Sequence, residues 1–248
     1  MRVTIITVCY NRRATIEQSI NSVLNQDYAD IEYIIVDGSS SDGTQDIIKT
    51  YSDKIAQYIS EPDKGMYDAI NKGLAMATGD IVGLMHSDDV FFDETVVTKI
   101  VEVFNKNPNT DAVYGDGIYV TNDAEQKIVR NRIGGEYDLK KIKSGWLPLH
   151  PTVYIKKSII EKHGNYNLDF KIASDTEFLL RYLYKYKIKI SYLNAYIVKM
   201  RMGGLSTNYK RAFEVLREDY NIYKFHQLSG ARVVFQKKMI AIMQYVKK

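Results

Sequence analysis

Apolar runs alternate with helical patterns through the first 90 residues of the chain. Continuous apolar runs, typical of strands buried on both faces, predict strands over Val3–Val8, Ile31–Val36, Ile55–Ser60 and Asp80–Met85. Apolar positions three or four residues apart predict helices over Thr15–Gln26, from Thr44 to about Tyr51, and over Met66–Ala77 and Thr95–Phe104. This β-α-β-α order predicts parallel strands joined by right-handed crossovers.

The rhythm changes after Asp111, where the strand patterns Ala112–Val120 and Lys127–Ile133 follow one another without a helix between them. They predict an antiparallel or mixed addition to the sheet. After a loop-rich stretch at Gly134–His150, the remaining patterns predict a helix at Ser174–Tyr186, an extended Lys187–Lys199, and helices at Asn208–Gln227 and Arg232–Val246. We predict an α/β fold in which a mostly parallel sheet is flanked by helices.

Charge and cysteine content exclude several classes of protein. With 34 lysines and arginines against 30 aspartates and glutamates, the 248-residue chain has a net charge of +4, too small to indicate a nucleic-acid partner. The single cysteine, Cys9, excludes a disulfide framework and cysteine-rich zinc or iron–sulfur sites. The sequence has no apolar run of about 18 residues and no signal-peptide pattern, so we expect a soluble, cytoplasmic protein.

Carboxylates follow three of the four predicted strands. Asp37 follows the second strand, Asp63 comes shortly after the third, and Asp88 and Asp89 follow the fourth. Ligands of open parallel sheets bind outside the carboxyl ends of the strands, so we expect these acids to converge on one crevice. Such oxygen ligands suit Mg²⁺ or Mn²⁺ shared with a diphosphate. Each Asp could instead cap a turn or a helix, and for Asp42 we prefer that interpretation.

Two common phosphate-binding motifs are missing from the chain. It contains no GxxxxGK[ST] segment and no GxGxxG after the first strand. These absences exclude a P-loop and an ordinary dinucleotide fold. A bound nucleotide would therefore be held through acids and a metal.

Further motifs extend beyond the strand-end acids. The distinctive segments are Thr4–Asn11, Ile34–Thr44, Ser60–Gly73, Gly83–Asp89, Leu149–Thr152, Ile172–Asp175 and Met202–Ser206. In this order they resemble the successive motifs of the family 2 glycosyltransferases. More closely, the chain is similar to bacterial members that build exopolysaccharide, such as the colanic-acid type.

The resemblance implies a GT-A fold with a nucleotide-sugar-binding half at 1–110, an acceptor-binding and catalytic half at 111–207, and a C-terminal helical extension at 208–248. It implies an inverting transferase that moves a hexose from a nucleotide sugar, expected to be UDP-linked. The acceptor would be a lipid-linked glycan or a growing polysaccharide of the cell surface.

The resemblance also implies roles on the donor side. Asp37 would accept a hydrogen bond from the pyrimidine ring, with Thr7 and Asn11 beside the base. Asp63 would lie near the nucleotide, and Lys64 would pair with a phosphate.

The metal-binding element departs from the family pattern. It reads His86-Ser-Asp88-Asp89, with His86 where the first acid of the family's DxD usually stands. Asp88 and Asp89 remain, and we expect one of them on the ribose and one on Mn²⁺ or Mg²⁺. Which of the two binds the metal stays open.

By the same resemblance, Asp175 would be the general base that takes the proton of the acceptor hydroxyl. Ser174 and Glu177 have the spacing of a capping box, so this segment also predicts the start of a helix. The two interpretations are compatible, because the positive end of a helix keeps an Asp in its first turn ionised. We expect Glu177 to act only as a cap.

Two further features extend the expected site. His150 would reach the acceptor or diphosphate side, although a single histidine is also often structural. Gly203 and Gly204 predict a tight loop whose N–H groups approach phosphate. Lys199 or Arg201 would add positive charge near the leaving group, or would simply lie on the surface.

Two other functions stay open. A sugar nucleotidylyltransferase would need a glycine-rich basic loop after the first strand, but the chain reads Cys9-Tyr-Asn-Arg-Arg13 there. A catalytically inactive nucleotide-sugar-binding module is kept open by His86, whereas Asp88, Asp89 and Asp175 argue against it.

The last predicted helix has an apolar stripe flanked by the basic residues Arg232 and Lys238. The stripe consists of Phe235, Met239, Ile242 and Val246. This pattern suits peripheral contact with anionic lipid at the inner face of the cell membrane. Packing on the domain, or on a second subunit in a homodimer, is the alternative.

Overall fold

A computed structural model describes residues 1–123, 126–202 and 212–246. The strands in these residues are β1 Val3–Cys9, β2 Ile31–Asp37, β3 Gln57–Ser60, β4 Ile81–Leu84, β5 Val90–Phe91, β6 Ala112–Val120, β7 Ile128–Arg132, β8 Tyr154–Lys156 and β9 Ile190–Arg201. The α-helices are α1 Ile16–Leu24, α2 Thr44–Lys49, α3 Met66–Met76, α4 Val96–Lys106, α5 Leu139–Lys143, α6 Lys157–His163, α7 Ser174–Leu180, α8 Ala212–Phe225 and α9 Gly230–Val246. A 3-10 turn spans His150–Thr152, and a π turn at Arg181–Lys185 continues α7.

The first half of the sheet is parallel, as predicted. β1 pairs with β2 and β4, and β2 pairs with β3, all in parallel register. Every residue of β1 is buried because its side chains alternate between two apolar clusters. Ile5 belongs to the cluster with α1 and α4, and Ile6 to the one with α3. The continuous apolar run is thus explained by burial on both faces.

The second half makes the sheet mixed, also as predicted. β6 is antiparallel to β7 and β8 and parallel to β9. β8 also pairs antiparallel with β4, so one sheet with the order β3-β2-β1-β4-β8-β6-β9-β5 runs through the described residues, with β7 on β6. The α/β prediction is confirmed, whereas β5, β8, α5 and α6 were not predicted, and α5 lies within the stretch predicted to be rich in loops. A strand of two or three residues is too short to show a period.

The helices α8 and α9 pack on the rest of the molecule. Ile222, Tyr223 and Val233 are buried in the same apolar cluster as α3 and α7. Lys237 Nζ donates to both carboxylate oxygens of Asp219, at 2.8 and 2.9 Å. One face of α9 therefore lies against the protein, in line with the packing alternative. Among the described residues, no helix is both long and apolar enough to cross a membrane.

Candidate functional site

The acids predicted to converge follow β2, β3 and β4 at the carboxyl edge of the parallel half-sheet. Asp37 is fully buried, and its carboxylate accepts hydrogen bonds from Ser40 N at 2.9 Å and Ser60 Oγ at 2.6 Å. Ser40 Oγ and the Cys9 thiol donate to its other oxygen. Burial, together with the adjacent Asp37, raises the pKa of the Cys9 thiol. Internal donors thus occupy the Asp37 carboxylate, and its contact with a pyrimidine ring stays a prediction.

Thr7 in β1 and Asn11 in the loop after β1 are the two other residues predicted to lie beside the base. Thr7 is buried and its Oγ1 accepts from the Tyr33 hydroxyl at 3.1 Å. Asn11 has a φ of 52°, in the left-handed region that asparagine tolerates. Its side chain accepts from Ser41 N at 3.0 Å, which ties the loop after β1 to the loop after β2.

A cavity of about 460 Å³ opens at the loops that follow β1 and β2. Its lining residues are Asn11, Arg12, Arg13, Ala14, Thr15 and Asp42. Asp42 accepts from the backbone and hydroxyl of Thr44 at the start of α2, so the capping interpretation of Asp42 is confirmed. The cavity is large enough for part of a nucleotide, and of the three residues predicted beside the base it is lined by Asn11 but not by Thr7 or Asp37.

Asp63 meets the loop after β2 directly. A Cβ atom at Gly38 would overlap Asp63 Oδ2, so a larger residue at position 38 would displace this carboxylate. Asp63 Oδ1 accepts from Gly65 N at 2.8 Å. Lys64 is exposed, with its backbone N bound to Asp68. Asp63 therefore lies beside the loop that follows Asp37, whereas the Lys64 side chain extends to the surface.

The turn after β4 carries the segment His86–Asp89, in which a histidine replaces the first acid of the expected metal-binding motif. Asp89 N donates to His86 O at 3.0 Å, and Ser19 Oγ of α1 donates to the same oxygen at 3.0 Å. Asp89 is buried, and Oδ1 accepts from Arg201 N at 3.3 Å. Burial, and then the charge of Asp88, raise the pKa of Asp89 well above its usual range. Asp88 itself is half-buried beside His86.

The two histidines of the predicted site lie together. The ring centroids of His86 and His150 are 6.2 Å apart. His150 is buried, and its Nε2 lies 2.6 Å from the Tyr166 hydroxyl. Burial lowers the pKa of His150 to about 4, so its imidazole is neutral at pH 7. Burial also lowers the pKa of His86.

Asp175 lies in the first turn of α7, facing these histidines closely enough for its charge to act on both. Its Oδ1 accepts from the Tyr67 hydroxyl at 3.1 Å and from Thr176 N at 2.9 Å. Tyr67 stacks on Tyr166 with the ring centroids 5.7 Å apart. The motifs after β4, in α3 and in α7 thus meet around one half-buried carboxylate.

The predicted capping box is wrong. The residue preceding α7 is Ala173, and no side chain caps it. Ser174 Oγ donates instead to Asn167 O at 2.7 Å. Glu177 is buried and accepts from Arg181 Nε at 3.1 Å, so it is a core ion-pair partner rather than a cap. Capping needs Glu177 to face the end of the helix, whereas its burial favours pairing with Arg181.

Of the remaining sequence candidates, Arg201 contacts this cluster through its backbone N–H, which donates to Asp89. Gly203 and Gly204 fall outside the described residues. Lys199 Nζ lies 5.0 Å from the centroid of the Phe92 ring, and Arg201 reaches Gln18 on α1.

Sequence reasoning missed Tyr67 and Tyr166 as members of the site. Tyr67 follows directly after Met66 inside the recognised Ser60–Gly73 segment, which was a usable signal. Tyr166 lies in a stretch with no motif, and only the fold brings it to His150.

The model of the family described as "Glycosyl transferase family 2" matches residues 4–167. An uncharacterized glycosyltransferase of Mycobacterium tuberculosis is 33% identical over 183 residues, which are 72% of this chain and 68% of that protein. A PGL/p-HBAD biosynthesis glycosyltransferase of Mycobacterium bovis is 25% identical over 207 residues, covering 82% and 78% of the two chains.

Solved structures share the fold at low identity. Residues 1–349 of S. aureus TarS in complex with UDP-GlcNAc match with a TM-score of 0.69 and 19% identity, over 90% of this chain and 65% of that one. The mannosyltransferase PcManGT of Pyrobaculum calidifontis in complex with GDP-Man and Mn²⁺ matches with a TM-score of 0.69 and 16% identity, over 95% and 68%. The chain spans only 39% of a longer TarS chain. These likenesses show the expected GT-A fold.

Proposed function

Because this chain belongs to glycosyl transferase family 2, we propose that it transfers a hexose, with inversion, from a UDP-linked sugar to a lipid-linked or growing polysaccharide acceptor. The observation that carries the proposal is the half-buried Asp175, which lies in the same cluster as the His86–Asp89 turn and is held by Tyr67. A base on one side of the sugar and a diphosphate site on the other are what inverting transfer requires.

Asp175 has one oxygen available for the proton of the acceptor. Oδ1 is occupied by Tyr67 and Thr176, whereas Oδ2 makes no hydrogen bond to the residues that the structure describes. We assign Oδ2 as the atom that takes the acceptor proton. The neutral His150 adds no competing positive charge beside it, and we place His150 on the acceptor side.

The donor would lie along the loops after β1, β2 and β4. In this proposal Thr7, Asn11 and Asp37 surround the base, while Asp63 and Lys64 lie near the phosphates. Gly203 and Gly204 would offer backbone N–H groups to the diphosphate. The cavity beside Asn11 supports this course, and the bound UDP-GlcNAc of TarS supports the choice of UDP.

Asp88 and Asp89 fit a divalent cation that arrives with the donor. The described residues contain no group of three or more His, Cys, Asp or Glu that could hold an ion alone. Two adjacent carboxylates, one of them buried with a raised pKa, fit a cation that takes its other ligands from a diphosphate. Mn²⁺ or Mg²⁺ would neutralise the charge of the leaving diphosphate. Asp89, held by Arg201 N, is the better fixed ligand, and Asp88 is left for metal or ribose.

We place the protein at the inner face of the cell membrane, where a lipid-linked acceptor would be found. Arg232, Phe235 and Met239 are exposed on α9, on the side that does not pack against the domain. Basic and apolar side chains on one helix face suit the interface of an anionic bilayer. An interface between two copies of the chain is the competing use of this face.

A panel of nucleotide sugars tests the proposal. Each donor is incubated with Mn²⁺ or Mg²⁺, and release of the nucleoside diphosphate is measured with and without a glycan acceptor. We expect turnover with a UDP-sugar that rises when acceptor is added. Binding without turnover for every donor would favour the inactive module, and pyrophosphate release from UTP and a sugar 1-phosphate would favour a nucleotidylyltransferase.

A further inference from the structure

A carboxylate of the C-terminal helices holds the backbone just before Asp175. Glu218, half-buried on α8, accepts hydrogen bonds from three consecutive N–H groups. Oε1 binds Lys171 N at 2.9 Å, and Oε2 binds Ile172 N at 2.8 Å and Ala173 N at 2.7 Å. Bonds to an ionised acceptor are about twice as strong as bonds between neutral groups. One side chain therefore sets the orientation of three peptide groups.

The opposite side of this segment is held by α3. The Tyr67 hydroxyl donates to Ile172 O at 2.9 Å and to Asp175 Oδ1 at 3.1 Å. The peptide groups of Ile172 are thus fixed by α8 at the N–H and by α3 at the C=O. Asp175 lies only three residues further along the chain from this anchored peptide.

The second C-terminal helix adds a link on the other side of Asp175. Lys237 of α9 binds Asp219, the residue after Glu218, and its Nζ also lies 3.4 Å from Thr176 Oγ1. Asp219 is almost fully buried, so α8 is fixed in turn by α9. All of these residues lie beyond position 167, where the match to the family model ends.

We propose that Glu218 is a positioning residue for sugar transfer: it holds residues 171–173 so that Oδ2 of Asp175 faces the acceptor hydroxyl. The inference rests on the proposed function, in which Asp175 is the general base. Glu218 touches neither donor nor acceptor, and it acts only through the backbone that leads to Asp175. A misplacement of a reacting group by about 1 Å costs on the order of 100-fold in rate.

The test compares Glu218→Gln with Glu218→Asp and with the control Glu102→Gln. The glutamine keeps the shape of Glu218, but it removes the charge and places an N–H₂ group among three N–H donors. We expect kcat for transfer to fall about 10- to 100-fold in Glu218→Gln while KM for the donor changes less than about twofold. Glu218→Asp keeps the charge and should recover part of the loss. Glu102 forms an exposed ion pair on α4, so its variant should match the wild type.

Hydrogen exchange of the amides at 171–173 supplies a readout that needs no turnover. These amides should exchange faster in Glu218→Gln, with unchanged exchange in β1 and β2. An unchanged kcat despite faster exchange would overturn the inference, and so would a parallel loss of kcat, donor affinity and melting temperature. Absence of transfer by the wild type would instead contradict the proposed function, and unchanged exchange in the variant would then still overturn the role of Glu218.

Discussion

At the scale of single residues, the role of Asp175 can be separated from the stability of α7. Asp175→Asn keeps the shape of the side chain and removes its basicity. We expect transfer to fall by roughly 10²–10⁴, the usual contribution of a general base. Donor affinity, measured by titration calorimetry, should barely change because the carboxylate faces the acceptor. Asp169→Asn, an exposed residue before α7, is the control. A collapse of donor affinity with high residual transfer would make Asp175 structural.

The pair Asp88 and Asp89 gives a prediction on metal dependence. Asp88→Asn and Asp89→Asn should each lower turnover and weaken the effect of Mn²⁺ on donor affinity, because a cation would lose a carboxylate ligand. EDTA in excess should abolish turnover. Asp27→Asn, whose exposed side chain bonds only to Thr98 among the described residues, serves as the control. Full activity in EDTA would remove the metal from the mechanism.

His150 makes the stability of the protein depend on pH. Its pKa falls from an ordinary 6.5 to about 4 because burial disfavours the charged imidazolium. The unfolded chain therefore binds a proton that the folded chain does not, between those two values. The free energy of unfolding should fall by up to about 3 kcal/mol from pH 6.5 to pH 4. Urea unfolding across this range should show a shallower decline for His150→Gln, and equal slopes would contradict the assignment.

At the scale of elements, local pattern was reliable wherever burial alone decides the structure. The run Val3–Val8 predicted β1 within one residue, since every side chain there is buried. The signal at Ser174 and Glu177 predicted the start of α7 but not its cap, because Ser174 Oγ donates to Asn167 O and Glu177 pairs with Arg181 four residues along the chain. The sequence around Tyr166 contains no motif that predicts its role, because its contact with His150 forms only when the chain is folded. Sequence thus predicts the framework, while the fold selects which polar groups meet.

The ion pair between α8 and α9 gives a prediction on stability. Lys237→Ala leaves the buried carboxylate of Asp219 without its cation, which should cost about 1–3 kcal/mol, since the lysine is itself partly exposed. Arg232→Ala on the same helix, where the side chain is exposed, should cost less than about 0.5 kcal/mol. Thermal and urea unfolding measure both. Equal stability of the two variants would show that Asp219 is satisfied without Lys237.

At the scale of the whole molecule, the exposed face of α9 gives a prediction on membrane binding. Phe235→Ser combined with Met239→Ser should reduce sedimentation with vesicles of anionic lipid and leave the melting temperature unchanged, because both side chains are exposed. Vesicles of neutral lipid are the control. Deleting the helix would be a poorer test, since Val233 is buried in the core and Lys237 pairs with the buried Asp219. A shift from dimer to monomer in the double variant, without any vesicle binding by the wild type, would identify a subunit interface instead.

The placement of β8 has a consequence for the way the chain is made. Tyr154–Lys156 is hydrogen-bonded to β4 on one side and β6 on the other, yet it is synthesised roughly seventy residues after β4. At about 5–20 residues per second, a ribosome needs roughly 4–14 seconds to cover that interval. During those seconds the edge of β4 presents unpaired N–H and C=O groups to any passing strand. The order of synthesis thus sets a period in which aggregation through β4 is favoured. This period ends when residue 156 has left the ribosome and β8 pairs with β4 and β6.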